Sequence, residues 1–283
     1  MKLLTINIVI LPLILMLMTA CTSVKKEFEA VPESIVSTAV EVKSLAALPE
    51  EIKEKTVKIM TYNIRHGVGV DNNYDLDRII SVIKEADPDI VSLNEVDHMM
   101  PRTYMQKQDK IIADALGYNL VYGFNINFGS KYGNVLLSKH PITTYINDAL
   151  PKNKMSEPRG LIQADVNIDD KTIKVLSTHL SINSEERPEQ IVYIIEKLKE
   201  LDGPTVLIGD FNAAPSSNEV KQISEMMEDS AKEEYGTFPA NDPTFRIDYI
   251  FVSEELEVKN NKVIESEASD HLPVLAEVSL KEY

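Results

Sequence analysis

"LIGDFNAAP", residues 207 to 215, places two polar side chains directly behind an apolar run. With the residues before it, "PTVLIGDF" reads as a buried strand. Asp210 and Asn212 stand two positions apart, so period-2 backbone puts both side chains on one face. Asp and Asn are also ordinary turn residues, and Asp-x-Asn ahead of Ala-Ala-Pro is equally readable as the closing of a loop. What separates a functional strand end from a plain turn is whether the rest of the chain repeats the habit.

Other strands do repeat it. Asn63 follows "KIMTY", Glu95 follows "IVSLN", Asn134 precedes "VLLS" and His179 follows "VLST". Asp248 lies in "FRIDYIFVS", while Asp270 and His271 introduce "LPVLAEV". For any one of these a cap or turn is the better explanation. As a set they are harder to dismiss, because a polar group at a buried strand end needs a partner. Clustered carboxylates repel one another unless protonated or bound to a cation. Carboxylate and amide oxygens suit magnesium (Mg²⁺), Mn²⁺ or Ca²⁺ rather than zinc. There is no cysteine cluster and no His-x-x-x-His motif to point elsewhere.

Around these residues the chain alternates strand and helix patterns. "TVKIMTYNI" (56–64) is an apolar-alternating strand. Leu76, Ile79, Ile80 and Ile83 recur at helical spacing until Pro88, and "DIVSLNEV" is a second strand. A helix in "QDKIIADALGY" closes at Gly117, and "YGNVLLSK" is a strand. "LIQADVNI" and "TIKVLSTHL" form a hairpin through Asp169-Asp170. An amphipathic helix in "RPEQIVYIIEKLKEL" has Pro188 in its first turn. After the strand "PTVLIGDF" come a helix in "SNEVKQISEMME" and strands in "RIDYIFVS" and "HLPVLAEVSL". Strands come in pairs as well as alternating with helices, which disfavours a purely parallel doubly wound sheet. No internal repeat shows, and one α/β domain over residues 56–283 is expected.

The 283 residues carry 43% hydrophobic and 26% charged side chains, which are ordinary globular values. The net charge of -16 is not ordinary; it disfavours a protein that grips nucleic acid through a basic surface. It leaves a nuclease open, because a bound divalent cation supplies positive charge locally. Residues 1–20 read as a secretory signal, with Lys2 followed by an apolar run from Leu3 to Met18 that includes Pro12. "LMTAC" resembles the bacterial lipoprotein signal, which makes Cys21, the only cysteine, the expected lipidated N-terminus of an exported, membrane-anchored protein. Residues 22–55 are polar and acidic, without sustained periodicity, and read as a flexible tether.

The ordered set "TYNIRHG", "LNEVD", "YGNVLLS", "STHLS", "GDFNAAP", "RIDYIFVS" and "SDHLPV" resembles the endonuclease/exonuclease/phosphatase superfamily, which includes DNase I-like nucleases. One departure is Asn94, where the family more often has Gln before the metal-binding Glu. The resemblance implies a four-layer α/β/β/α sandwich of two mixed β-sheets flanked by helices. It also implies roles: Glu95 as principal metal ligand, with Asn63 and Asp270 on the metal side. Asp210 and Asn212 would orient nucleophile and phosphate. His271, paired with Asp248, would be the catalytic histidine, and His179 would contact the phosphate from the opposite side. Asn134 and Arg159 are candidate substrate contacts. In that chemistry water attacks a phosphoester, Mg²⁺ at Glu95 stabilises the developing charge, and Asp210 or His271 takes the proton.

Asp248 has an alternative partner in Arg246 or in a turn. His98 and His140 lie in polar contexts and are expected to be solvated, whereas His66 is close enough to Asn63 for a place at the edge of the site. The expected activity is a secreted, tethered, metal-dependent phosphoesterase acting on a small or lipid-borne phosphodiester or phosphomonoester. An extracellular DNase I-like nuclease is the second reading, so nucleic acid is disfavoured as a partner without being dismissed. A non-catalytic binding module on the same fold is the third. No protein partner is evident.

Overall fold

The computed structural model describes residues 55–281. The expected signal peptide, Cys21 and nearly all of the tether lie outside the described residues. The chain runs β1 (Thr56–Asn63), α1 (Leu76–Ala86), β2 (Ile90–His98), α2 (Gln108–Leu116), β3 (Asn119–Asn127), β4 (Lys131–Ser138), β5 (Ile142–Ala149), β6 (Gly160–Ile168) and β7 (Lys171–His179). It continues through α3 (Arg187–Lys199), β8 (Thr205–Asp210), α4 (Asn218–Ser224), β9 (Glu228–Asp229), β10 (Asp248–Val252), β11 (Leu256–Val263) and β12 (Val274–Leu280).

The strands form two mixed sheets of six, ordered β11-β12-β1-β2-β4-β3 and β5-β6-β7-β8-β10-β9. Each sheet has one parallel pair at its centre, β1 with β2 and β7 with β8, and every other pairing is antiparallel. The parallel pairs are spanned by α1 and α3, because a parallel return needs a crossover that covers the sheet. The repetition lies in topology alone, which is why the sequence shows no internal repeat.

Alternation along the strands builds the layers. Ile59 faces one core and its neighbour Met60 another. The core between the sheets holds Ile59, Ile90, Leu136, Ile162, Val175, Ile208 and Ile250. A second core packs the first sheet on α1 and α2 through Met60, Ile79, Ile83 and Ile112. A third packs the second sheet on α3 and α4 through Leu176, Leu207, Ile191, Ile194 and Phe251. Three cores separate four layers, so the expected α/β/β/α sandwich is the fold.

Local signals set the helix ends. The Asp75 side chain accepts from the Asp77 amide at the start of α1, and Asp87 ends that helix in the left-handed region ahead of Pro88. Gly117 closes α2 with φ +72°. Ser217 caps α4 by accepting from the Val220 amide, but α4 stops at Ser224, four residues short of the expected Glu228. β3, β5, β9 and β11 were not anticipated, and they are the four outermost strands of the two sheets. β1 enters at Thr56 on one edge of the sandwich and delivers Asn63 to the other, where the ends of β7 and β8 also lie.

Candidate active site

The site begins with three adjacent strands of the second sheet. Asp210 ends β8, pairing in register with His179 at the end of β7 and with Asp248 at the start of β10. Residues directly opposite in a ladder present their side chains to the same face, so a histidine and two carboxylates share one patch. Gly209 makes the close approach of β7 and β8 feasible: with φ +142°, a Cβ there would lie 1.9 Å from the Thr178 carbonyl oxygen. His271 comes from the loop before β12, in the other sheet, and its ring closes over the pair. Its Nδ1–H donates to Asp248 Oδ2 at 2.9 Å, and its Nε2 lies 3.8 Å from Asp210 Oδ2. His179 Nε2 lies 3.4 Å from that same oxygen. Arg246, the alternative partner for Asp248, instead forms a two-pronged ion pair with Asp229.

Burial and charge set the protonation of this group. Burial disfavours a charged His271, but the carboxylates of Asp248, Asp210 and Asp270 outweigh it and raise the imidazole to about 10. Burial, and then the charge of Asp248, raise Asp210 to about 7. His179 moves the other way: burial, and then the neighbouring Arg159 cation, hold it well below the usual imidazole range. Arg159 Nη1 donates to His179 Nδ1 at 3.1 Å, which leaves the proton of the neutral ring on Nε2, toward Asp210. Arg159 is itself buried and paired with Glu157 at 2.9 Å. It therefore reaches the site through His179.

A second group of oxygens adjoins the first. Glu95 was expected at a strand end, but β2 runs on to His98 and is irregular between Leu93 and Val96, with Glu95 at φ +61°. That left-handed bulge re-aims the side chain, as bulges beside functional sites do. Asn63 links the two groups, its Nδ2 donating to Glu95 Oε1 at 3.2 Å and to Asp210 Oδ2 at 3.0 Å. Burial opposes the charge on Glu95, but the His66 imidazole, 3.9 Å from Oε2, and the Asn63 amide help bring the carboxyl down to about 2. His66 thus sits at the edge of the site. Asp270 Oδ2 lies 3.3 Å from Arg65 Nε.

Glu95 and Asp270 supply hard carboxylate oxygens that fit Mg²⁺, Mn²⁺ or Ca²⁺. Asn63, expected on the metal side, instead turns its NH2 group to Glu95 while its Oδ1 accepts from the Arg65 amide at 3.0 Å. Asp210, Asp248 and His271 also offer ligand atoms within 4.8 Å of one another. In that trio, however, Nδ1–H is committed to Asp248, and a protonated imidazole has no lone pair to give a metal.

Asn212 corrects the first reading of the sequence. Its φ is +48°, so the chain has left the strand after Asp210 and strand alternation does not align the two side chains. The chain turns here instead: the Asn212 backbone amide donates to Asp210 Oδ1 at 2.8 Å, while the Asn212 side chain donates through Nδ2 to the Leu180 carbonyl at 3.0 Å. Asn is among the few residues that adopt this backbone readily. His98 is also not solvated: its Nδ1 is 2.7 Å from the buried Asp109, and its ring stacks on Tyr122. His140 is partly exposed, 3.8 Å from Asp89.

Two holding residues, Asn94 and Ser269, were not among the expected site residues, and Asn134, expected to contact substrate, is a holding residue as well. Asn94, fully buried, accepts from the Asp210 amide at 3.1 Å and donates to the Thr178 carbonyl at 3.0 Å and to Asn134 Oδ1 at 2.9 Å. It joins the sheets under the site. Asn134, inside β4, is turned to Asn94 and, at 3.4 Å, to the Gly160 carbonyl. Ser269 Oγ donates to the Asn63 carbonyl at 2.7 Å, tying the His271 loop to β1. The departure from Gln noted at position 94 was the one available hint, and it did not reveal that this amide spans the sheets.

The endonuclease/exonuclease/phosphatase family model matches residues 60–271, which enclose every group described above. The chain belongs to the endonuclease/exonuclease/phosphatase family. No curated protein matches it closely enough to count as a relative. Among solved structures, a family protein from Beutenbergia cavernae is 25% identical, with a TM-score of 0.69 over 80% of this chain and 72% of that one. One from Bacteroides vulgatus is 25% identical, with a TM-score of 0.68 over 81% of this chain and all of the other. The mannosyl-6-phosphatase of Bacteroides thetaiotaomicron shares the fold at 22% identity, with a TM-score of 0.66 over 79% of this chain and all of that one. Members of the endonuclease/exonuclease/phosphatase family are divalent-metal-dependent phosphoric ester hydrolases, and the two oxygen-rich groups meet at one edge of this member's sandwich.

Proposed function

We propose that the protein is an Mg²⁺-dependent phosphoesterase whose substrate is a small or lipid-borne phosphodiester or phosphomonoester. The observation that carries this is Asp210 Oδ2, held by the Asn63 amide at 3.0 Å with the imidazoles of His179 and His271 at 3.4 and 3.8 Å. A carboxylate raised to about 7 is matched to taking a proton from water near neutral pH. His271, held charged by Asp248, places positive charge beside the phosphoryl group and can return a proton to the leaving oxygen. Neutral His179 offers its Nε2–H to a phosphoryl oxygen from the other side. Glu95 and Asp270 would hold the metal ion, with the Asn63 NH2 group steadying Glu95, and the ion when bound stabilises negative charge on the phosphoryl oxygens.

The chain's net charge of -16 supports a compact or lipid-borne substrate over duplex DNA. Filled positions at every motif favour catalysis over a binding module. Export and lipidation at Cys21 belong to the same proposal and rest on the composition of residues 1–21; mass spectrometry of the mature N-terminus tests them.

The enzymatic reading is tested on bis-p-nitrophenyl phosphate, p-nitrophenyl phosphate and plasmid DNA, with Mg²⁺ or chelator. Hydrolysis of the nitrophenyl esters that needs the metal is expected. Glu95→Gln should keep the fold while losing roughly tenfold or more in Mg²⁺ affinity by calorimetry. Full activity of folded Glu95→Gln in chelator would remove Glu95 from the metal site, and plasmid cleavage in preference to the small esters would favour the nuclease.

A further inference from the structure

Four large apolar side chains among the described residues are at least three-quarters exposed: Tyr104 at 75%, Phe128 at 92%, Met155 at 97% and Ile182 at 76%. All four stand on loops at the edge that carries Asp210. Tyr104 follows β2, Phe128 is in the β3–β4 turn, Met155 is between β5 and β6, and Ile182 follows β7. Among the described residues the opposite edge has no side chain of this kind. Singly exposed apolar residues are normal, but their concentration on one functional edge is not.

Charge follows the same division. In a chain of net charge -16, the bases left for the surface in the loops 99–107, 127–131 and 150–159 are Lys107, Lys131, Lys152 and Lys154. Arg102 is ion-paired with buried Asp97, and Arg159 is itself buried and paired with Glu157, the one acid there. The Ile182 loop adds an exposed Glu185 and a buried Glu186. The three basic loops are neighbours. β2, β4 and β3 are adjacent in one sheet, Lys131 pairs with His98 across it, and β5 and β6 pack against β3 from the other sheet. Lys107, Lys152 and Lys154 are exposed, and Lys131 Nζ sits 4.7 Å over the Phe124 ring. Loops at the other end of the edge carry Asp242, Glu265 and Glu267.

We propose that this basic, apolar half of the catalytic edge docks on an anionic phospholipid surface. The proposal rests on the phosphoesterase reading for the identity of the edge and narrows its substrate to a phosphoester presented at that surface. Phe128 and Met155 are single side chains at loop tips, suited to entering the boundary between headgroups and acyl chains, while the lysines stay at headgroup level. Each lysine near such a surface is drawn to it electrostatically. Tyr104 and Phe128 have rings able to stack on a base, but Met155 and Ile182, the other half of the set, have none, and an aliphatic tip gains only from lipid. The acidic end of the edge is repelled, so the site is tilted with its basic half toward the lipid.

Residues Ile52–Tyr283 form a compact unit of their own, so the test can omit the apolar N-terminal run, which would bind lipid by itself. Flotation with phosphatidylcholine vesicles, with and without phosphatidylglycerol, reads binding. Association that depends on phosphatidylglycerol and weakens with salt is expected. Phe128→Ser with Met155→Ser should weaken it roughly a hundredfold, from the lost burial of two large side chains. Lys152→Gln with Lys154→Gln should remove the preference for phosphatidylglycerol. Both pairs should melt at the parent temperature and turn over soluble bis-p-nitrophenyl phosphate at the parent rate. A parent protein that fails to float, or binding that survives both pairs unchanged, overturns the proposal. So does capture of a single-stranded oligonucleotide in preference to vesicles. Vesicle binding without ester hydrolysis would sink the phosphoesterase reading and leave the docking face, and the reverse result would sink the docking face alone.

Discussion

Asp248 lies directly across the ladder from Asp210 while its Oδ2 accepts from His271 Nδ1 at 2.9 Å, so one carboxylate sets the protonation of two neighbours. It raises both. If Asp210 must be deprotonated and His271 protonated, turnover of a soluble ester should follow a bell, rising as Asp210 loses its proton near 7 and falling near 10. Removing the Asp248 charge lowers both values, so Asp248→Asn should move both limbs to lower pH. Unmoved limbs would take Asp248 out of the proton economy. His271→Ala should lower kcat by several orders of magnitude with little change in KM, and Asp248→Asn by less. The double variant should be little worse than His271→Ala, because the two residues act as a unit; multiplying losses would show them independent. The residue types of this site were legible from motif order and, for Asn63, His179 and Asp210, from strand-end position. The αL turn at Asn212 and the bulge at Glu95 were not, because left-handed backbone in a non-glycine residue is imposed by its surroundings.

At the scale of elements, the strands the sequence hides are the outermost ones. β3, β5, β9 and β11 each pair on one side only, and much of each faces solvent, as in β5, where five of the eight residues are exposed. Pattern reading relies on burial to enforce alternation, and an edge strand is enforced least. The central strands are buried on both faces, so their apolar runs stand out. Holding those centres together is a matter of single polar groups such as Asn94. Asn94→Ala would leave the Asp210 amide, the Thr178 carbonyl and Asn134 Oδ1 without their partner, at about 1–3 kcal/mol each if fully unmet. The expected loss is on the order of 3 kcal/mol in denaturant unfolding, with Asp210 displaced and kcat reduced. A change below about 1 kcal/mol would mean that water replaces the amide and that the sheets do not depend on it.

For the whole molecule, the buried site makes stability depend on pH. Asp210 is raised from 3.8 to about 7, so folding takes up a proton and stability falls as pH rises through that interval. His271 is raised from 6.5 to about 10, so its contribution is complete below the first value and lost as pH climbs to the second. Glu95, lowered from 4.5 to about 2, contributes the opposite limb, lost as pH falls. Metal-free protein should therefore melt highest at mildly acidic pH and progressively lower toward alkaline pH, and His271→Ala should flatten the alkaline side. A melting temperature level from neutral to alkaline pH in the parent protein would contradict the raised imidazole. The first and last strands have a separate consequence. Thr56 and Ser279 are register partners in β1 and β12, on the edge away from Asn63. The two ends of the fold are thus adjacent, and a few glycines and serines would join them without crossing the site. A circular permutant closed there and reopened at the exposed Asp169-Asp170 turn should fold and keep its hydrolytic rate. By the same geometry the fold can be spliced whole into a loop of a host protein, entering and leaving through one narrow doorway with its working edge facing outward.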